Sequence, residues 1–274
     1  ATDCDVLTAG VARRIREFQE RGGIVVGDEN LARAIRTDIR IARIARTKKG
    51  DADQSAILAN AAKLRAALDA RYIRPTDCTN PEIVTRLRTA GDSDYVFVVN
   101  DRREFGTYVG QHGVVMENGL PSTGDISLRR AGGHVYDLVA GREVSASVHG
   151  DRLHWSVNLA PCDGRVFLIT PQPIAAVVLT APEVASRGGK LDVSVTIADA
   201  AGKPVPAVAP VWIEITDPAG RVAEFSGHYG ARDGRLDLHL EPAANDAPGV
   251  WEVRVTELAS GRTARHFFRL MPKP

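Results

Sequence analysis

The chain has 274 residues, enough for two or three domains of the usual size of about 100 to 150 residues. Its 35 basic and 34 acidic side chains leave a net charge of +1, which excludes a global field suited to nucleic acid or an acidic partner and makes every charge argument local. Hydrophobic residues make up 44%, and no apolar run approaches the roughly 20 residues needed to span a bilayer, so no transmembrane segment is expected.

Cys4, Cys78 and Cys162 lie far apart with no C-x-x-C spacing, which argues against a disulfide framework and a cysteine-rich zinc site and leaves the state of the three thiols open. The first residue is not methionine, and a helical pattern begins within a few residues. A piece of a longer protein is the expectation.

From the N-terminus, Asp5 or Thr8 can cap a helix carrying Val11, Ile15 and Phe18, and Gly22 with Gly23 ends it. Ile24 to Val26 then reads as one short strand, and Gly27 to Glu29 turns into a second helix through Ile35. One strand between helices is the remnant of an α/β layer rather than a whole domain. Residues 33–49 hold seven basic residues and one acidic residue among isoleucines. With no aromatic residue for stacking, they read as a solvated basic face, not a nucleic-acid or membrane helix. Asp51 or Asp53 is expected to cap an alanine-rich helix to about Arg71, with Ile57, Ala61, Leu64 and Leu68 on one stripe as a packing strut. Pro75 to Pro81 reads as a connector.

Short strands punctuated by Gly, Asn and Asp are then predicted near 83–88, 95–100, 107–116, 125–130, 134–139, 143–149, 152–159 and 164–170. The clearest register is a hairpin around Gly150-Asp151, pairing Val148 with Leu153 and Ala146 with Trp155. It puts Val144, Ala146, Val148, Leu153, Trp155, Val157 and Leu159 on a core face, and Ser145, Ser147, His149, Arg152, His154, Ser156 and Asn158 on a wet one. After Pro171-Gln172-Pro173, strands are predicted near 174–180, 191–198, 211–216, 222–226, 235–240, 250–257 and 263–270, the count of an immunoglobulin-like sandwich. The predicted class is therefore α+β multidomain. It comprises an N-terminal helical or partial α/β segment over 1–80, an antiparallel β-sandwich over 81–171 and a C-terminal immunoglobulin-like β-sandwich over 174–274.

No phosphate loop, G-x-G-x-x-G, H-E-x-x-H or G-x-S-x-G occurs. The densest polar stretch, DRREFGTYVGQHGVVMENG, supplies Asp101, Glu104, His112 and Glu117, with His134 and Asp137 on a neighbouring strand. Carboxylates beside imidazoles can act as acid and base or hold a metal, although loop carboxylates and strand-edge histidines are mostly solvated. His149 and His154 are diagonal neighbours on the wet face and form a second, two-ligand candidate for a divalent metal. No other cofactor is expected. Trp155, Trp212 and Trp251 all read as core.

REFQERGGIVVGDE, YVFVVNDRREFG, GHVYDLVAG and CDGRVFLIT resemble the C-terminal part of large bacterial glycoside hydrolases of the β-galactosidase type. There a barrel precedes a glutamine-amidotransferase-like α/β domain and an antiparallel β domain. The resemblance implies a periplasmic or extracellular setting and the catalytic barrel of a longer parent enzyme as partner. Those catalytic carboxylates sit on the barrel, so none carries over to this chain. The amidotransferase cysteine elbow has no counterpart either, because no G-x-C-x-G occurs. PGVWEVRVTELASGRTARHFFRL resembles a macroglobulin-type immunoglobulin-like domain, which implies scaffold and contact roles. Three functions follow as expectations. They are a non-catalytic accessory region that contacts carbohydrate or protein, a small hydrolase acting on activated esters through the Asp101, Glu104, His112, His134 and Asp137 cluster, and a protein-contact module.

Overall fold

The computed structural model describes residues 4, 6–43, 50–105, 109–110, 113–114 and 117–272, with backbone alone at 50–52, 54, 105, 109–110, 113–114 and 117. Residues 1–74 and 75–274 form two compact units.

The first unit holds α1 (Ala9–Glu20), β1 (Val26–Gly27), α2 (Leu31–Ala34), β2 (Ile39–Arg40) and α3 (Gly50–Asp69). Thr8 caps α1, its hydroxyl accepting the Val11 N–H at 3.4 Å. Gly22, at φ +87°, turns the chain out of the helix. Asp5 lies outside the described residues. The short strand falls at Val26–Gly27 and pairs in parallel with Ile39–Arg40, so the layer has a second strand that the run of basic residues conceals. Asp38 stabilises this crossover. Its carboxylate accepts the Val25 N–H and the Gln19 amide, each at 2.8 Å, and the Val25 bond leads the causes that hold its pKa below the ordinary value. The basic run is thus split between a helical turn and a strand, and its end at 44–49 lies outside the described residues. α3 begins at Gly50, which puts Asp51 and Asp53 inside its first turn rather than at the cap. None of its described side chains is buried, and Ile57 and Leu58 are exposed, so the packing-strut reading is corrected. Alanine gives this helix propensity without apolar bulk.

The second unit opens with β3 (Thr76–Cys78), β4 (Ile83–Ala90), β5 (Ser93–Asn100), β6 (Arg103–Phe105), β7 (Val109–Gly110), β8 (Gly113–Val114) and β9 (Glu117–Gly119). It continues through β10 (Ser122–Arg129), β11 (His134–Asp137), β12 (Arg142–Val144), β13 (Ser147–His149), β14 (Arg152–Leu159) and β15 (Gly164–Thr170). Two sheets form, ordered β12-β11-β15-β5-β4 and β13-β14-β10-β3. Between them Val96, Val98, Val135, Phe167 and Ile169 meet Ile126, Leu128, Leu153, Trp155, Val157 and Leu159, with the Trp155 and Phe167 rings 5.4 Å apart. The presumed connector is a strand, because Thr76–Cys78 pairs with Ile126 to Leu128 and buries Cys78. The single strand expected at 107–116 is two two-residue strands paired with each other.

The hairpin register holds at Val148 with Leu153, the expected pairing of Ala146 with Trp155 does not form, and the β14 arm alternates as expected. Its other arm does not. Val144 pairs with Val135 in one sheet, whereas Ser147 pairs with His154 in the other, so residues 145–146 carry the chain across the sandwich. β13 becomes an edge strand, and Val148 is 47% exposed opposite a buried Leu153.

The remaining strands are β16 (Ala176–Thr180), β17 (Val184–Ser186), β18 (Leu191–Ala198), β19 (Ala209–Thr216), β20 (Gly227–Ala231), β21 (Arg235–Leu240), β22 (Gly249–Glu257) and β23 (Thr263–Met271). They make sheets ordered β16-β18-β21 and β17-β23-β22-β19-β20. Leu191, Val193, Val195 and Ile197 face Val211, Ile213, Ile215, Trp251, Val253 and Val255 in one core. The strand expected at 222–226 lies instead at Gly227–Ala231, and Val222 makes only an isolated bridge to Thr216. Val184–Ser186 adds a strand parallel to β23. Trp212 is not core. It is half-buried on the outer face, 4.6 Å from the His228 ring.

The two sandwiches are fastened to each other. Tyr136 and Leu168, from the five-stranded sheet of the first, belong to the core of the second. The Tyr136 hydroxyl accepts the Ile174 N–H at 2.8 Å. The Tyr95 hydroxyl donates to Val208 O at 2.7 Å and accepts its N–H at 2.9 Å. From the other side, Arg262 Nε donates to Ile174 O at 2.9 Å.

Candidate functional site

Asn100 ends β5 as a buried hub. Its amide donates to Leu120 O and Ala160 O, both at 2.8 Å, and its oxygen accepts from the Ser122 hydroxyl at 2.7 Å. These bonds tie the end of β5 to Leu120, Ser122 and Ala160, and a polar residue ends the apolar strand because it makes them. Asp101 follows, exposed, 3.7 Å from Arg103. Glu104 is exposed on the ribbon formed by β6 and β9. His112 and the side chain of Glu117 lie outside the described residues.

His134 and Asp137 both sit on β11 but serve different neighbours. His134 Nδ1 meets Glu143 at 2.7 Å across to β12. Asp137 is buried, and its Oδ1 accepts the N–H groups of Val139 and Ala140 at 2.9 and 3.0 Å. Arg165 approaches its other oxygen at 3.6 Å. Those bonds explain the VYDL pattern structurally, as a carboxylate that closes the turn after β11. The register also separates the candidates. Asp137 pairs with Phe167, and Phe167 with Val96, so Asp101 lies five residues beyond that row. At about 3.3 Å per residue this is on the order of 15 Å along the sheet. The structure therefore does not bring the Asp101 and Glu104 turn together with His134 and Asp137.

His149 and His154 do meet. Their ring centres are 5.3 Å apart with planes at 67°. They help line a cavity of about 450 Å³ with Thr79, Asp125, Ser145, Ala146, Ser147, Trp155 and Ser156. Ser147 Oγ lies 3.1 Å from His149 Nε2, and the Ser156 hydroxyl donates to Asp125 Oδ1 at 2.6 Å. Asp125 and Thr79 escaped the sequence reading because β3 and β10 reach β14 through pairings distant in the chain. Alternation over residues 122–129 marks Asp125 as outward-facing, but cannot name the strand beside it. No group of three or more His, Cys, Asp or Glu side chains able to hold a metal occurs among the described residues.

None of the three cysteines is in a disulfide. Cys4 is half-buried, Cys78 buried and Cys162 exposed. In the last sandwich, the exposed Val250 and Phe267 lie among Glu252, Arg254, Arg265 and Arg269, so charge breaks up the apolar surface there. No helix among the described residues is long and apolar enough to cross a membrane.

No family profile matches the chain, and no curated protein does. Among solved structures it is similar to the rhamnosidase from Novosphingobium sp. PP1Y, at 15% identity over 91% of this chain and 22% of that one, with a TM-score of 0.35. It is also similar to the superoxide reductase (neelaredoxin) from Ignicoccus hospitalis, at 13% identity over 35% and 81% of the two chains, TM-score 0.27. The Yersinia pseudotuberculosis adhesin InvE matches at 8% identity over 71% and 60%, TM-score 0.29. Likenesses at this level assign no family.

Proposed function

We propose that this chain is a non-catalytic accessory region of a bacterial carbohydrate-active enzyme, a scaffold and contact surface beside a catalytic barrel, with an immunoglobulin-like module over 174–274. The observation that carries the reading is the dispersal of its ionisable side chains into structural bonds. Asp101 pairs with Arg103, His134 with Glu143, and Asp137 closes a turn. Glycoside hydrolysis needs two carboxylates about 5 to 9.5 Å apart across a bound sugar, on rigid elements. Glu104 and Asp101 instead occupy one exposed turn and ribbon. The segments that resemble β-galactosidase-type enzymes supply the carbohydrate-active context.

Assays with aryl glycosides and activated aryl esters test this. The purified chain is expected to turn over neither. Turnover that survives purification and disappears in Asp101→Ala or Glu104→Ala would replace the accessory reading with a hydrolase.

A further inference from the structure

We propose that His149 and His154 form a two-imidazole seat for a borderline divalent transition ion of the zinc, nickel and copper class, open on the cavity side to water or to an incoming ligand. Imidazole nitrogen binds such ions at about 2.0 to 2.1 Å, which places each ring centre about 3.2 Å from the metal and two rings at a tetrahedral angle about 5.2 Å apart. The ring centres here are 5.3 Å apart. The backbone fixes where the two side chains attach. β13 and β14 are joined by the Gly150-Asp151 turn in a register of Ser147 with His154 and His149 with Arg152, so neither strand can slide without losing every pair. His149 is exposed, and turning its ring toward a shared ion gives up only the Ser147 contact at 3.1 Å.

The surroundings suit a cation. Arg152, opposite His149, is drawn onto the Ser127 hydroxyl at 3.0 and 3.2 Å. Arg129 is paired with Asp151 at 3.2 Å. Asp125 lines the same cavity, bonded to the Ser156 hydroxyl and to no cation among the described residues. Ser145, Ser147 and Ser156 line the same cavity and give it neutral hydroxyls. With two imidazole ligands and no group of three metal-holding side chains among the described residues, selectivity follows the intrinsic order, copper above nickel and zinc, and nitrogen donors disfavour magnesium and calcium.

Calorimetric titration of the whole chain with copper(II), nickel(II) and zinc(II) chlorides tests the seat, with magnesium and calcium as controls. The expected result is one ion per chain, at least tenfold weaker binding in both His149→Ala and His154→Ala, and no change in His239→Ala, whose imidazole is bonded to Asp192 on the other sandwich. Circular dichroism checks that the variants stay folded. Electron paramagnetic resonance of the copper-loaded native chain is expected to show coupling to two imidazole nitrogens. Absence of binding, binding unchanged by both substitutions, or coupling to a single nitrogen overturns the proposal.

Discussion

The two sandwiches of the second unit are written in the same alternating code, yet the code means different things in each. In the C-terminal one, β18, β19 and β22 bury every second residue along their length, so alternation and burial coincide. In the N-terminal one, the same alternation runs from Val144 through Val148 while burial stops, because the chain leaves one sheet for the other at Ser145 and Ala146. Alternation reports which side of a strand a side chain takes. Whether anything covers that side is decided by strands far away in sequence.

Cutting the chain strains this comparison hardest. A piece beginning at Ile174 is expected to be soluble and rich in strand by circular dichroism, since its alternation and burial coincide. An unstructured product would mean that Tyr136 and Leu168, contributed by the first sandwich, are needed for the core to form. Next come the tryptophans. Trp155→Ala and Trp251→Ala should each cost about 3 to 5 kcal/mol in denaturant unfolding, as deletion of large core side chains does. Both residues are buried, one in each core. Because the sandwiches share Tyr136 and Leu168, one cooperative transition is expected, and two resolved transitions would show them to be energetically separate.

The two hairpin arms offer a sharper contrast. Leu153→Ala is expected to cost about 2 to 5 kcal/mol, whereas Val148→Ala, directly opposite it and 47% exposed, should stay within about 0.5 kcal/mol. Equal losses would return Val148 to the core. Between these two falls Tyr136→Phe. It leaves the buried Ile174 N–H without its partner, a loss of about 1 to 3 kcal/mol measurable by thermal unfolding.

The last prediction concerns pH. Burial, as the leading cause, raises the pKa of both Tyr95 and Tyr136 above the ordinary value. A folded pKa above the unfolded one gives stability that is complete below about pH 10 and is lost as pH rises through the folded value. Melting temperature should therefore fall more steeply above about pH 10 in the native chain than in the Tyr95→Phe, Tyr136→Phe double variant. Parallel curves would remove the tyrosines as its source.

Much of the fold was legible in local pattern. The Thr8 cap, the Gly150-Asp151 register and most strands of the last sandwich depend on neighbours within a few residues, and there sequence reasoning has physical purchase. Non-local pairings account for what was missed. Ile39–Arg40 is a strand only because Val26–Gly27 lies beside it. Thr76–Cys78 is one only because β10 does, and Trp212 is half-exposed because its side of β19 is an outer face. In the site, the two histidines were visible from hairpin arithmetic, but Asp125 and Thr79 were hidden by the same non-local pairing. Asp101 and Glu104 stay together because they are close in the chain, whereas the register that sets His134 and Asp137 apart from them rests on pairings distant in sequence.

The crossing at Ser145 and Ala146 also has a mechanical meaning. Two stacked sheets joined only by loops at their ends can shear, one layer gliding over the other, with side chains rather than bonds resisting. Here a single segment is hydrogen-bonded into both layers within four residues, through Val144 on one side and Ser147 on the other. That corner is covalent, and gliding would have to stretch backbone rather than repack methyl groups. Ser145, Ala146 and Ser147 also line the cavity that holds the two imidazoles. The wall that these three residues give the pocket is therefore tied to the segment that joins the two layers.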